Sequence, residues 1–255
     1  MLQYRIAFMA IAGKEIRRFL RIWQQTLIPP VMTMVLYFII FGNLIGRRIG
    51  EMGGFDYMAF IVPGLIMMSV ITSAYGNVSS SFFGNKFQRS IEEILVAPVP
   101  NYVMLAGFVA GGVVRGIMVG VLVTVVSLAF TSFTISHVPV VVAVILLTAI
   151  LFSVGGFINA MYATKFDDVA LVPTFVLTPL TYLGGVFYSI ELLPAFWQGV
   201  SQLNPILHMV NAFRFGVLGV SDVNVVFAFV MIGVFLVVLV AWALWLLDRG
   251  KGLRS

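Results

Sequence analysis

An all-α integral membrane protein with six transmembrane helices is the fold class this 255-residue sequence predicts, and three observations predict it. Hydrophobic residues make up 61% of the chain and charged residues 10%, against about 25% charged in a soluble domain. The charge-free windows 22–46, 57–85, 116–164, 169–190, 192–213 and 223–247 can each hold the ~20 apolar residues that cross a bilayer's hydrocarbon core. They are also too long and too uniformly apolar for barrel strands, and a helix pairs its own backbone polar groups in lipid.

In chain order, residues 3–22 predict a helix with Phe8, Ala12, Ile16, Phe19 and Trp23 on one side and Lys14, Arg17, Arg18 and Arg21 largely opposite. That pattern fits a helix lying in the headgroup layer, and equally a plain basic anchor. Span one covers 27–46, with Pro29-Pro30 near its start, where a missing backbone donor costs least. Its Tyr37 and Phe41 are candidates for a transport path, against the commoner role of lipid-facing aromatics. Span two, 57–85, ends in the polar run Tyr75-Gly-Asn-Val-Ser-Ser-Ser81; such residues seek another helix or a wet cavity.

Between spans two and three lies the one compact mixed-charge segment, Lys86 to Pro100. Read as a helix over 86–97, it aligns Phe87, Ile91, Ile94 and Leu95 along one stripe and lets Arg89 reach Glu92 or Glu93. Pro98 and Pro100 stop it. Both charge signs together suit a protein partner better than a lipid surface; an ordinary loop with a helical turn is the plain alternative.

Span three, about 102–130, carries Gly107, Gly111, Gly112, Gly116 and Gly120, a four-residue glycine spacing that lets helix backbones approach closely. Arg115 sits beside that face, deep in the apolar run, where an arginine costs roughly 2.5–3.5 kcal/mol. It therefore faces a carbonyl, the interface or a wet path. Span four covers 138–163, and Asp167 and Asp168 after it cap the next helix. Span five, 169–188, contains Pro173, Thr178, Pro179, Thr181, Tyr182 and a glycine pair, which predict kinks and make it the first candidate for the path.

The window 192–213 contains Pro194, Trp197, Asn204 and Pro205, and reads as two short helices joined by a turn. Topology decides its placement. If residues 191–218 form a re-entrant external hairpin and span six covers 223–247, both termini are cytoplasmic. Eleven of the fifteen cations then lie inside: Arg5, Lys14, Arg17, Arg18, Arg21, Lys86, Arg89, Lys165, Arg249, Lys251 and Arg254. Arg47, Arg48 and Arg214 face outward. A full crossing would move the C-terminal cations outside, against the positive-inside bias.

Composition also narrows the chemistry. Absence of cysteine excludes disulfides, thiol catalysis and cysteine metal sites, and the histidines are His137 and His208 alone. The net charge of +5 follows membrane topology and calls for no nucleic-acid partner. No secretory signal peptide is expected, because the first residues are basic without a continuous apolar core.

Ile91-Glu-Glu-Ile-Leu-Val-Ala-Pro-Val-Pro100 resembles the coupling segment of ABC-2-type exporter permeases. Gly184 to Trp197, followed by Leu203-Asn-Pro-Ile-Leu-His-Met-Val-Asn-Ala-Phe-Arg214, resembles that family's external hairpin. The similarity runs over essentially the whole chain, nearest to the YadH-type inner-membrane permeases, with polysaccharide- and nodulation-factor-export permeases further off. The resemblance implies a half-transporter of the bacterial inner membrane that pairs as a homodimer. It binds two copies of a separate ATPase subunit, which holds the ATP and Mg; no cofactor is bound by the chain itself. Phe87, Arg89, Ile91, Glu92, Glu93, Ile94 and Leu95 would couple to the ATPase. Spans one and five, with Tyr37, Phe41, Arg115, Thr178, Pro179, Thr181 and Tyr182, would line the path. Pro194, Trp197, Asn204, Pro205 and Arg214 would belong to the external gate. In keeping with this, the chain has no G-x-x-x-x-G-K-[ST] phosphate loop, so catalysis by this chain itself is not expected. The rival reading is a secondary transporter or channel driven by an ion gradient, which calls for mid-membrane ionisable residues and matching halves. Nothing in the sequence identifies the substrate.

Overall fold

The computed structural model describes residues 2–250 and 252, so the expected inner cations Lys251 and Arg254 lie outside the described residues, as does the Arg47 side chain. The chain is helical almost throughout. α1 (Leu2–Arg21) leads into α2 (Trp23–Thr26) and α3 (Ile28–Tyr37), which continues as a π-helical stretch, Phe38–Ile45, and a last turn, α4 (Gly46–Ile49). A two-residue hairpin, β1 (Glu51–Met52) with β2 (Phe55–Asp56), turns the chain into α5 (Tyr57–Phe87), whose N-terminus is capped by Asp56. Then follow α6 (Ile91–Val96), α7 (Asn101–Ser127), α8 (Val138–Tyr162), α9 (Phe166–Val172), a π-helical turn (Pro173–Leu177) and α10 (Thr178–Tyr182). A 3-10 turn (Ile190–Leu192) precedes α11 (Ala195–Gln202), α12 (Pro205–Leu218) and α13 (Val225–Asp248).

Among the described residues, five helices are long and apolar enough to cross a bilayer: Trp23–Gly42, Tyr57–Phe87, Asn101–Ser127, Val138–Tyr162 and Val225–Asp248. That is one fewer than the six expected. The stretch expected as span five is helical only to Tyr182 and comes in three pieces. Proline explains the break, because Pro173 has no N–H to give the Val169 carbonyl four residues back. Asn159 of α8 supplies the missing donor, its Nδ2 lying 3.0 Å from that carbonyl. The Thr178 hydroxyl likewise turns back onto the Pro173 carbonyl at 2.9 Å.

α5 is the axis of the molecule, buried around almost its whole circumference by α7, α8 and α12. It is apolar on all sides, so no face prefers water, and neighbours cover it. α13 is just as apolar but packs along one side only, leaving Val226, Val230, Val234 and Val237 exposed where lipid would lie. The glycines of α7 are shared among three partners. A Cβ on Gly107 or Gly111 would strike Ile11 or Glu15 of α1, one on Gly112 would strike Ser153 of α8 as well as α5, and one on Gly116 or Gly120 would press on α5. Small residues thus let α7 approach all three helices closely. The molecule has a basic end, holding α1, α6 and the α8–α9 junction, and a hairpin end, holding α11, α12 and the 128–137 loop.

Candidate functional site

The basic end is built around a break in the helix. α5 stops at Phe87 because Arg89 adopts a left-handed backbone, φ +58°, a conformation that ends helices. Ser90 then opens α6, its hydroxyl donating to the Asn85 carbonyl at 3.2 Å and to Asn85 Oδ1 at 3.0 Å. The break corrects the single 86–97 stripe that periodicity predicts. Phe87 belongs to α5. Ile91, 1% exposed, is spent on the protein's own core beside Phe83, Met104 and Leu105, with Ile94 packed partly behind it. The apolar groups left on the surface are Phe87, Leu95 and Val96, flanked by exposed Glu92 and Glu93. Nor does Arg89 pair with either glutamate. Among the described residues the ion pairs are Arg18–Glu15 and Arg214–Asp222, and the turn at 88–90 carries Arg89 away from the helical spacing that the pairing needs.

A firm base supports the segment. Lys86 is buried and donates to the Met161 and Ala163 carbonyls at 2.9 and 2.8 Å. It thereby places a cation on the C-terminal end of α8. Phe83, Phe87 and Phe166 stack edge to face beside it, with centroids 4.9 Å apart for Phe83–Phe166 and Phe87–Phe166. Asp168 accepts from the Thr164 hydroxyl and from the Thr164 and Lys165 amides at 2.7 to 2.9 Å. These bonds hold its carboxyl below the usual carboxylate range and fix the start of α9.

The path candidates fall into two groups. Tyr37 and Phe41 meet Phe187, with ring centroids 5.7 and 4.7 Å from it, and Tyr182 stacks on the same ring at 5.8 Å. Residues of the first span and of the broken segment therefore converge on one aromatic group at the hairpin end. Phe187 itself stands in no sequence-level candidate set, because a lone phenylalanine after a glycine pair carries no periodic signal. Tyr57 fixes it by donating to its carbonyl at 3.1 Å. Thr178 and Pro179 are exposed on the outer side, and Thr181 is buried with its hydroxyl on the Leu177 carbonyl. Arg115 is elsewhere, at the basic end, its Nη2 donating to the Thr26 carbonyl at 3.0 Å. It faces the start of the first span and the cations of α1.

At the hairpin end, Asn204 accepts from the Ile206 amide and donates to the Leu180 carbonyl at 2.6 Å, so it caps α12 and ties the hairpin to α10. Pro205 occupies the first helical position, where a proline is favoured. Pro194 opens α11, and Trp197 and Phe196 are exposed on it, Phe196 to 72%. Arg214, counted among the cations of the outer side, is 0% exposed within the hairpin end. Its Nη2 donates to the Gly185 carbonyl at 2.6 Å and Nη1 to Asn211 Oδ1 at 3.2 Å, and the guanidinium lies 4.0 Å over Phe60. The cause is electrostatic: Asp222 lies 3.9 Å away, and the helix-turn carbonyls supply the remaining acceptors.

The model of the family described as "ABC-2 type transporter" matches residues 6–218. The inner membrane transport permease YadH of Escherichia coli K12 is 62% identical over 254 residues, covering 99% of this chain and 98% of that protein. Nodulation protein J of Rhizobium leguminosarum bv. trifolii is 24% identical over 192 residues, 75% of this chain and 73% of its own length. Nodulation protein J of Rhizobium meliloti is 25% identical over 194 residues, again covering 75% and 73%. With a family match across most of its length and a full-length relative far above 30% identity, this all-helical membrane chain belongs to the ABC-2 type transporter family.

Proposed function

We propose that the chain is the permease subunit of an ATP-driven exporter in the bacterial inner membrane. Two copies form the path, and each engages one separate ATPase subunit that binds ATP and Mg. In this reading the basic end is cytoplasmic, and the broken segment 169–188 serves as span five, bringing the number of spans to six. The 191–218 hairpin re-enters from outside, and both termini are cytoplasmic. The observation that carries the proposal is the coupling segment. Leu95 (39% exposed) and Val96 lie exposed beside two exposed glutamates on a helix whose root, Ile91, is locked in the core. A short helix presenting a few apolar groups in a charged rim suits a groove on a partner protein, and its rigid root would pass the partner's motion directly into α5 and α7.

Leu95→Asp tests this without touching the core. The expected outcome is loss of ATPase co-purification from native membranes, with the permease still inserted and thermally unchanged. Undiminished co-purification would remove the basis for coupling through this segment. Transport that continues without ATP and stops when the membrane potential is collapsed would favour an ion-driven carrier instead.

A further inference from the structure

Four cations line a surface hollow of about 660 Å³ on α1: Lys14, Arg17, Arg18 and Arg21. Of these, Arg18 alone has a carboxylate partner among the described residues. Ile22 lines this hollow, and Trp23, the next residue, lines a second depression of about 540 Å³. This one is a wholly apolar groove between α3 and α7, walled by Trp23, Ile28, Met32, Ile117, Val121 and Leu122. The groove runs from the basic end toward the middle of two membrane-crossing helices. Arg115 stands close to the junction on α7, two residues before Ile117, with one N–H on the Thr26 carbonyl and its Nε buried without a hydrogen-bond partner.

We infer that the α1–α3–α7 surface is a binding site for an anionic phospholipid, with the phosphate in the basic hollow and one acyl chain along the groove. Three features select this occupant. The cations are in excess of the carboxylates facing them, so the hollow favours an anion. The lining of the hollow and that of the groove adjoin at Ile22 and Trp23, and the groove follows the direction a chain takes into the bilayer. Trp23, half-exposed at the junction, occupies the position where aromatic side chains mark the membrane interface. Basic pockets beside membrane helices on the cytoplasmic side select acidic headgroups in this way. A protein partner would instead have to satisfy a cationic row and an unbroken apolar groove at the depth of the hydrocarbon. The inference goes beyond the transport reading and does not depend on it; it requires only that the five apolar helices sit in a bilayer with α1 at its surface.

The test is native mass spectrometry of the full-length chain released from detergent. Phosphatidylglycerol or phosphatidylcholine of identical chains is the added probe, and sodium phosphate is the competitor. Phosphatidylglycerol is expected to stay bound and phosphatidylcholine to dissociate. Each cation near an acidic surface is worth about fivefold in binding, so Arg17→Gln with Arg21→Gln is expected to weaken retention about 30-fold. Both side chains are exposed, so the fold is untouched. Val121→Trp, which fills the groove and leaves the charges in place, is expected to lower retention as well. Equal retention of the two lipids, or retention unaltered by either variant, would overturn the site. Displacement by millimolar inorganic phosphate would reduce it to a free-anion site and also overturn it. So would efficient disulfide formation between Met32→Cys in one copy and Leu122→Cys in another, because the groove would then be an interface between copies.

Discussion

Two arginines in apolar surroundings, Arg214 at the hairpin end and Arg115 at the basic end, are held in opposite ways. Arg214 is completely buried and has acceptors on every side: the Gly185 and Phe60 carbonyls, Asn211, Asp222 and the face of Phe60. Arg115 is partly exposed, with one carbonyl partner, a buried Nε left unpaired and another cation, Arg18, close enough to act on it. Around it, Glu15 Oε1 and Asn77 Nδ2 are also buried without partners. Arg18 bridges Glu15 to the Asn77 side chain at 3.3 and 2.9 Å. A fully satisfied polar network fixes one geometry, and a half-satisfied one leaves alternatives of similar energy. The Arg214 network is thus built as a lock, although the hairpin around it also holds the unpaired Ser201 Oγ and His208 Nδ1. The slot between α1, α5 and α7 keeps unused hydrogen-bonding capacity, and through Lys14, Asn85 and Ser90 it is bonded to the root of α6.

The largest effect expected from this contrast is at Arg214. Arg214→Met leaves Asp222 and Asn211 without their cation and removes the tie between α12, α5 and the Gly185 turn. Breaking a buried pair from one side costs about 3–5 kcal/mol. A marked fall in Tm of the detergent-solubilised protein is expected, with loss of yield from the membrane. Arg214→Lys is expected to rescue little, because an ammonium cannot reproduce the forked contacts or the stacking on Phe60. If Arg214→Met melts at the wild-type temperature, the lock does not exist.

A smaller effect is expected at Asn211, whose Oδ1 accepts from both Arg214 and the Asp222 amide at 3.2 and 3.1 Å. Asn211→Ala orphans two donors while keeping the ion pair, at about 1–3 kcal/mol. Measured together, Arg214→Met and Asn211→Ala should be strongly non-additive, because they break the same network. Additive losses would show two independent supports rather than one lock.

Neither arginine's state follows from the sequence alone, although the helices around them do. Long charge-free windows fix where α3, α5, α7, α8 and α13 run, since few other structures pair the backbone in lipid. The glycines of α7 announce close packing, and the prolines at 173 and 179 announce a broken segment. What periodicity lacks is the partner. Arg214's burial is not legible because Asp222 is eight residues away in sequence and Gly185 is twenty-nine, distances closed only by the hairpin's fold. Arg115 reads as a mid-membrane charge because the start of the first span, far off in sequence, is invisible as its neighbour. The coupling stripe fails for a local reason, since a single left-handed residue at Arg89 shifts every later side chain around the helix axis.

The smallest effect is expected at Arg115, and it discriminates best between a lock and a half-satisfied slot. Arg115→Met keeps most of the side chain's volume while removing a charge that has no carboxylate of its own. The loss of one bond to a carbonyl is offset by relief from the nearby Arg18 and by burial of an apolar group, since replacing a buried charge with a matched apolar residue is often neutral or stabilising. Tm is therefore expected to stay within the shift produced by about 1 kcal/mol, in either direction. If Arg115→Met instead destabilised as strongly as Arg214→Met, the basic end would be locked too. The contrast between the two ends would then lie only in the exposed aromatic hairpin, where Phe196 and Trp197 pack edge to face.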